Sequence, residues 1–147
     1  EAQDFINRYF ERFPGIRTYM DETKAFAKEN LYVQTLFGRK IHMPQINAKG
    51  PHAGFASRAA INAPIQGTAA DIIRRAMIRM PDAIKDLPAK MLLQVHDELI
   101  FEVEDSAVDE TIEVARKIME GAAEPAIKLS VPLIVDAGQG QNWADAH

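Results

Sequence analysis

The chain has 147 residues, of which 47% are apolar, which fits one globular domain or one domain with part of another. It contains no cysteine, which excludes a disulfide scaffold and a thiolate metal site and is typical of a reducing cytoplasm. No apolar run approaches the roughly 18 residues that a membrane-spanning helix requires, so we expect no membrane partner. The first residue is Glu1 rather than Met, so we expect a fragment of a longer protein.

Charged residues are distributed unevenly, although the formal net charge is only -4. Positions 31–70 contain no Asp or Glu, whereas positions 91–115 contain several acidic residues and no Lys or Arg. An acid-free stretch can face phosphates, and an acidic stretch can hold cations. Two solvated surfaces of opposite sign are the plainer interpretation of the same pattern.

Two helices and a hairpin are predicted for the first part of the chain. Positions 5–13 place aromatic and apolar residues at helical spacing, and Pro14 is expected to end that helix. A second helix is expected over positions 16–29. Positions 32–43 then predict a β-hairpin with Gly38 at its turn.

A loop over positions 47–54 and a helix over positions 55–80 are predicted next. Pro64 has no backbone N–H to donate, so we expect it to kink or break this helix. Arg75 and Arg79 follow each other by one helical turn on the polar side, which predicts an ordinary solvated face.

The most strand-like segment is positions 91–103, where the trio His96-Asp97-Glu98 interrupts apolar residues. A single strand of that length is unusual, so a tight hairpin with the trio in its middle is predicted.

One more helix and one more strand are predicted towards the end of the chain. The helix covers positions 106–119, with Ser106 and Asp109 in capping-box positions, and the strand covers positions 131–135. Strands paired through hairpins, with helices between them, predict an α+β fold.

The trio His96-Asp97-Glu98 has the chemistry of a metal site. Two carboxylates at the rim of a buried hairpin cost desolvation energy unless a cation or hydrogen-bond donors satisfy them. Mg2+ prefers carboxylate oxygen and keeps waters for a phosphate-bearing substrate. Neighbours in extended chain point to opposite sides, so Asp97 is favoured over Glu98 as the stronger ligand. A polar turn with His96 merely packed is the alternative interpretation.

A two-metal site needs carboxylates that converge from separate segments. Asp71 belongs to a helix face, and Asp136 follows a strand without a polar companion, so both are poor second ligands. Either residues outside this chain complete the site, or there is no such site.

Arg58, Asn62 and Gln66 are spaced by four residues and share one helical face if the bend at Pro64 is mild. A guanidinium and two amides can donate to minor-groove acceptors, which occupy similar places in every base pair. That chemistry suits binding a DNA duplex without reading its sequence. An ordinary polar helix face is the alternative.

Taken together, these segments closely resemble the end of family A DNA polymerases. The resemblance is carried by RAAINAPIQGTAADII, which begins at Arg58, by LLQVHDELIFEV around the trio, and by the ending VPLIVDAGQGQNWADAH. Upstream, EAQDFINRYFERFPGI and YVQTLFGRK are also similar to the family. The resemblance covers essentially the whole chain in the right order.

The resemblance implies a right-hand architecture, with the end of the fingers at positions 1–47 and the later part of the palm at positions 48–147. Asp97 matches the catalytic, metal-binding aspartate of the family's palm hairpin. Glu98 matches its adjacent glutamate, which has a smaller role, and His96 matches a histidine near the primer end.

The family also implies the reaction and its partners. A primer 3′-hydroxyl is joined to the α-phosphate of a deoxynucleoside triphosphate, with two Mg2+ ions, during DNA replication and repair in the bacterial cytoplasm and nucleoid. Arg58, Asn62 and Gln66 match side chains that contact the minor-groove side of the primer–template DNA.

Our leading hypothesis is a fragment of a DNA-directed DNA polymerase that is inactive alone, because the family's other catalytic aspartate and its nucleotide-binding helix are not in this sequence. A non-catalytic nucleic-acid-binding module is one alternative, and a small metal-dependent hydrolase is a second. A partial palm exposes surface that the remainder would cover, so self-association is also expected.

Overall fold

Helices alternate with two small hairpins in the computed structural model, which describes residues 2–146 and all of their side chains except those at 51 and 52. Glu1 and His147, the outermost residues of the resemblance, lie outside the described residues. The elements are, in chain order, α1 (Ala2–Arg12), α2 (Pro14–Asn30), β1 (Tyr32–Gln34), β2 (Lys40–His42), α3 (Pro51–Ile84), β3 (Ala89–Val95), β4 (Glu98–Val103), a 3₁₀ turn (Asp105–Ala107) and α4 (Val108–Glu120). The predicted α+β fold is confirmed.

The chain divides into two compact units, Glu1–Thr68 and Ala69–His147, and the boundary between them falls within α3. Each unit contains one two-stranded antiparallel hairpin. Across the part of the chain that the structure describes, no helix combines the length and the apolar character needed to cross a membrane.

The core of the first unit joins α2, the β1–β2 hairpin and the first half of α3. Ala27 of α2, Val33 of β1 and Ala60 of α3 are buried together with Ile46. Because the side chain of Ala60 is short, the hairpin can pack close to α3. The expected hairpin is confirmed, with Gly38 in its turn at a φ of 81°.

Polar contacts also tie the hairpin turn to α3. The hydroxyl of Thr68 donates to the Pro64 carbonyl at 2.6 Å and accepts the N–H of Leu36 at 3.0 Å. The Arg39 guanidinium donates to the Gly67 carbonyl at 3.0 Å. The β1–β2 hairpin is therefore fastened to the turn of α3 that follows Pro64.

The helix α3 continues through Pro64, so a break at this residue is wrong. Proline removes the internal hydrogen bond to the Ala60 carbonyl, and a neighbouring element holds the helix close to this point. The Tyr19 hydroxyl donates to the Ile61 carbonyl at 2.8 Å, in addition to the bond from Thr68 to Pro64. Burial raises the pKa of the Tyr19 hydroxyl, which keeps this donor protonated.

The helix is also longer than predicted at both ends, because it begins at Pro51 and ends at Ile84. Proline is well tolerated in the first turn of a helix, where the missing N–H has no intrahelical partner in any case. The loop expected over positions 47–54 is correspondingly shorter.

The core of the second unit lies between the end of α3, the β3–β4 hairpin and α4. Met80 and Ile84 of α3 are buried with Ala115 of α4, and Met91 and Phe101 of the hairpin pack against them. The two strands pair antiparallel as far as Val95 and Glu98, which border the turn. The tight hairpin predicted for this segment is therefore confirmed.

Arg75 and Arg79 are not a solvated face, contrary to the prediction. Arg75 donates to the Ala122 carbonyl at 2.8 Å, and Arg79 donates to the carbonyls of Gly121 at 3.2 Å and Glu124 at 2.7 Å. These carbonyls follow the end of α4, where the helix dipole concentrates negative charge. The two arginines therefore fasten the end of α4 to α3.

The capping box predicted for α4 is wrong. Ala107 occupies the N-cap position, and no side chain caps it. Ser106 instead lies within the 3₁₀ turn that leads into the helix. The Thr111 hydroxyl donates back to the Ala107 carbonyl at 2.7 Å and is buried in the first turn of α4.

The strand predicted over positions 131–135 is also wrong, because this segment has no strand pairing. Its backbone bonds to side chains of α4 instead. The Val135 N–H donates to the Glu120 carboxylate at 3.1 Å, and the Val135 carbonyl accepts from Arg116 at 3.1 Å.

The close packing of α3 against the hairpin predicts that Gly67→Ala destabilises the protein, although alanine is the better helix former. A Cβ at this position would lie 2.7 Å from Cγ2 of Thr35 and 2.9 Å from Cδ1 of Ile41. Overpacking costs about 1–3 kcal/mol, which outweighs the ~0.5–1 kcal/mol gained in helix propensity. Thermal unfolding should show a lower Tm.

Gly15→Ala is the matched control, since a Cβ built at that position of α2 would meet no neighbouring side chain or other element within 4 Å. This variant should unfold at the same temperature or a higher one. Equal Tm changes in the two variants would show that the hairpin does not press on Gly67.

Candidate DNA-binding row and metal-binding turn

Arg58, Asn62 and Gln66 are exposed side chains of α3, and we call them the polar row. Residues four apart in an α-helix are offset by only about 40° around the axis. Because α3 runs without interruption through Pro64, the three side chains share one face.

The polar row faces away from the core of the first unit. Residues 56, 60 and 63 of α3 are alanines that pack in that core, roughly opposite the row on a helical projection. The carbonyls that accept hydrogen bonds from Tyr19 and Arg39 belong to Ile61 and Gly67, also away from the centre of the row. The surrounding elements therefore contact the other faces of α3 and leave the polar row exposed to solvent.

The guanidinium of Arg58 lies back along the helix towards Gly54, where a Cβ would be 3.4 Å from its Nη1 atom. That distance is an ordinary van der Waals contact, so the arginine lies close along the helix surface. The row then presents guanidinium and amide N–H donors in line along one side of α3. Such a line of donors can hydrogen-bond acceptors that recur along a nucleic-acid groove.

His96 and Asp97 form the two-residue turn of the second hairpin, since Val95 and Glu98 are its last paired residues. The φ angle of His96 is 51°, in the left-handed region. Such a conformation costs about 1–2 kcal/mol in a residue other than glycine, although histidine adopts it more often than most. The Gln94 side chain donates to the His96 carbonyl and so helps to hold the turn.

The carboxylate of Asp97 is exposed, as is His96, whereas Glu98 is half-buried. The desolvation cost argued from the sequence therefore does not apply to Asp97, and His96 is not packed. The packed side of the hairpin includes Leu99 and Phe101, which anchor it to the core of the second unit. The hairpin thus holds the Asp97 carboxylate at its tip, open to solvent.

Carboxylate oxygens of Asp97 and Glu98 suit a hard divalent cation such as Mg2+. However, within residues 2–146, no group of three or more His, Asp or Glu side chains is arranged to hold a metal ion. The pair can supply ligands to such a site but does not form a complete one with the other described residues.

Several residues behind the polar row were not singled out from the sequence, namely Tyr19, Arg39, Gly67 and Thr68. The sequence does contain one indication of this contact, namely Gly67 within a helical pattern. A glycine inside a helical pattern is costly and often marks a close approach of a neighbouring element. At Gly67 the neighbouring element is the β1–β2 hairpin.

Comparisons with known proteins agree on one family. The family model described as DNA polymerase family A matches residues 1–145. Over its full length the chain is 53% identical to DNA polymerase I of Rhizobium leguminosarum and 49% identical to DNA polymerase I of Pseudomonas aeruginosa. It also resembles the POL domain of Pol1 from M. smegmatis, solved in complex with DNA primer-template and dNTP, with a TM-score of 0.91 and 42% identity over 99% of the chain.

The chain spans 15% and 16% of the length of the two curated relatives and 26% of the solved polymerase domain. Within that span the sequence and the fold both match. The chain belongs to DNA polymerase family A.

Proposed function

We propose that this chain is part of a DNA-directed DNA polymerase. It contributes to the active centre the polar row and the metal-binding turn, which consists of His96 and Asp97 with the adjacent Glu98. The observation that carries the proposal is the close structural match to a polymerase domain that holds primer-template DNA and dNTP. In the complete enzyme, the reaction joins a primer 3′-hydroxyl to the α-phosphate of a deoxynucleoside triphosphate and releases pyrophosphate. This is the chemistry of DNA replication and repair.

The proposed role of Asp97 is to hold Mg2+, with Glu98 as a lesser ligand and the remaining carboxylates supplied by other parts of the enzyme. Mg2+ supplies positive charge that stabilises the charge developing on the phosphoryl oxygens. The exposure of Asp97 at the tip of an anchored hairpin supports this role. His96 lies next to this ligand in the turn, and its proposed position is near the primer end.

Arg58, Asn62 and Gln66 are proposed to donate hydrogen bonds to minor-groove acceptors of the primer–template DNA close to the growing end. The row is exposed and belongs to a stretch, positions 31–70, that contains no acidic residue. Nothing within that stretch therefore repels the phosphates of the duplex. Because minor-groove acceptors lie in similar places in all base pairs, such contacts respond to pairing geometry rather than to sequence.

In the proposed right-hand arrangement, positions 1–47 belong to the fingers and positions 48–147 to the palm. The proposed location is the bacterial cytoplasm, in association with the nucleoid. A self-contained hydrolase is disfavoured because the described residues, 2–146, hold no metal-binding cluster of three or more side chains.

Apolar side chains are exposed in the second unit, which supports self-association of the chain in isolation. The largest exposed fractions there are 79% for Ile134, 70% for Val131 and 69% for Ile78. In the complete enzyme the proposed role of these exposed side chains is contact with the rest of the polymerase.

Asp97→Asn in the full-length polymerase is expected to lower kcat by about a thousandfold, since charge stabilisation by a bound metal is worth several kcal/mol. The Kd for primer–template DNA should change little, because the amide keeps the size of the carboxylate. Primer extension at increasing Mg2+ concentrations and a DNA-binding titration measure the two quantities.

Glu102→Gln is the matched control, because Glu102 is an exposed carboxylate in β4 of the same hairpin. Its kcat should stay at the wild-type value. Retention of extension by Asp97→Asn would rule out Asp97 as a metal ligand.

Arg58→Ala in the full-length polymerase should raise the Kd for primer–template DNA by about tenfold, because a hydrogen bond from a charged donor is worth about 1.5 kcal/mol or more. Fluorescence anisotropy with a labelled duplex measures the change. Arg8→Ala, which removes an exposed arginine of α1, controls for the loss of one positive charge. Equal effects of the two variants would contradict a specific role for the polar row.

The isolated 147-residue chain is expected to incorporate no deoxynucleotide in a primer-extension assay with Mg2+, because its carboxylates do not complete a metal site. Sedimentation of the same sample would test self-association and separate inactivity from aggregation. Incorporation by a monodisperse sample of the chain would refute the proposed incompleteness.

A further inference from the structure

Gln66 lies in the segment of α3 where the β1–β2 hairpin is attached. Thr68 connects Pro64 to Leu36 through its hydroxyl, with distances of 2.6 Å and 3.0 Å. Arg39 donates to the carbonyl of Gly67, the residue that directly follows Gln66. The two attachment points, Gly67 and Thr68, therefore directly follow Gln66 along the helix.

This segment depends on its neighbours more than an ordinary helical turn does. Pro64 cannot donate to the Ala60 carbonyl, which removes one internal hydrogen bond in the turn before Gln66, and glycine at position 67 allows the backbone more conformational freedom than any other residue would. Both effects loosen the backbone that carries the Gln66 side chain. The hydrogen bonds that the hairpin makes to the Thr68 hydroxyl and the Gly67 carbonyl restrict it again.

The hairpin turn that supplies these bonds is itself well ordered. The Thr35 N–H donates to the Arg39 carbonyl at 3.0 Å, and the Arg39 N–H donates to the Thr35 hydroxyl at 3.2 Å. Thr35 is only 4% exposed. Arg39 therefore extends from a closed turn with a fixed backbone, and its bond to Gly67 can hold the helix in place.

We propose that Arg39 is a positioning residue for Gln66: by binding the Gly67 carbonyl, it fixes the direction in which Gln66 meets the terminal base pair of the primer. Arg39 touches neither the DNA nor the nucleotide in this role and acts only through α3. The proposal rests on the proposed function of the polar row. It adds the β1–β2 hairpin to the elements that determine discrimination between paired and mispaired primer ends.

A double-mutant cycle in the full-length polymerase tests this coupling. The variants are Arg39→Ala, Gln66→Ala and the two combined, and the measured quantity is the ratio of kcat/KM for matched and mismatched primer termini. Loss of folded enzyme scales both values equally and cancels in this ratio. A merely structural role of Arg39 would therefore leave the ratio unchanged.

Both single variants are expected to lower the ratio, Arg39→Ala by about threefold to tenfold, because contact with a correctly paired end is weakened. The double variant should match Gln66→Ala alone, since Arg39 has no further effect once the side chain that it positions is gone. Lys40→Ala, which removes a neighbouring charge whose Nζ lies 4.3 Å from the Tyr32 ring centre, should leave the ratio unchanged.

Each other outcome has a definite meaning. An unchanged ratio for Arg39→Ala, or an additive effect in the double variant, overturns the positioning role and leaves the function of the polar row intact. The same loss in Lys40→Ala assigns the effect to charge and also overturns it. An unchanged ratio for Gln66→Ala refutes the sensing role of Gln66 and, with it, the inference about Arg39.

Discussion

The uninterrupted course of α3 through Pro64 is the constraint on which the arrangement of the polar row depends. Arg58 and Asn62 precede the proline and Gln66 follows it, so a broken helix would place them on different faces. Proline alone favours such a break. Hydrogen bonds from Tyr19 and Arg39 to carbonyls of α3 on either side of the proline, together with the packing of the hairpin, hold the helix in place.

The β3–β4 hairpin is anchored to the core of the second unit and at the same time exposes the Asp97 carboxylate to solvent. A carboxylate with the proposed metal-binding role must be accessible, yet its backbone must be held in place. The apolar side chains of Met91 and Phe101 fix the hairpin to the second core, and the turn places Asp97 at its exposed tip. His96 is held at a positive φ where a glycine would be easier, which is the kind of strain that functional turns often contain.

Features that depend on local periodicity could be predicted from the sequence. The helices, both hairpins and the position of Asp97 in a turn follow from the spacing of apolar residues and from turn-forming residues. The polar row could be predicted as well, because a spacing of four is a helical property. Only the continuity of the helix at Pro64, on which the row depends, could not be predicted.

Features that depend on contacts between distant segments could not be predicted in this way. Arg75 and Arg79 have the spacing of a solvated face, but the carbonyls that they bind belong to residues more than forty positions later. Positions 131–135 have the composition of a strand, but a strand requires a partner, and here the backbone bonds to side chains of α4. Local pattern does not specify the partner in either case.

The proposed site shows the same division between local and distant information. A carboxylate turn can be recognised within a few residues, whereas a two-metal centre is defined by the convergence of several segments. Asp97 and Glu98 are neighbours in one hairpin, and within residues 2–146 no third acidic or histidine side chain joins them in a metal-binding group. Under the proposed function, the turn therefore depends on further carboxylates from other segments of the polymerase.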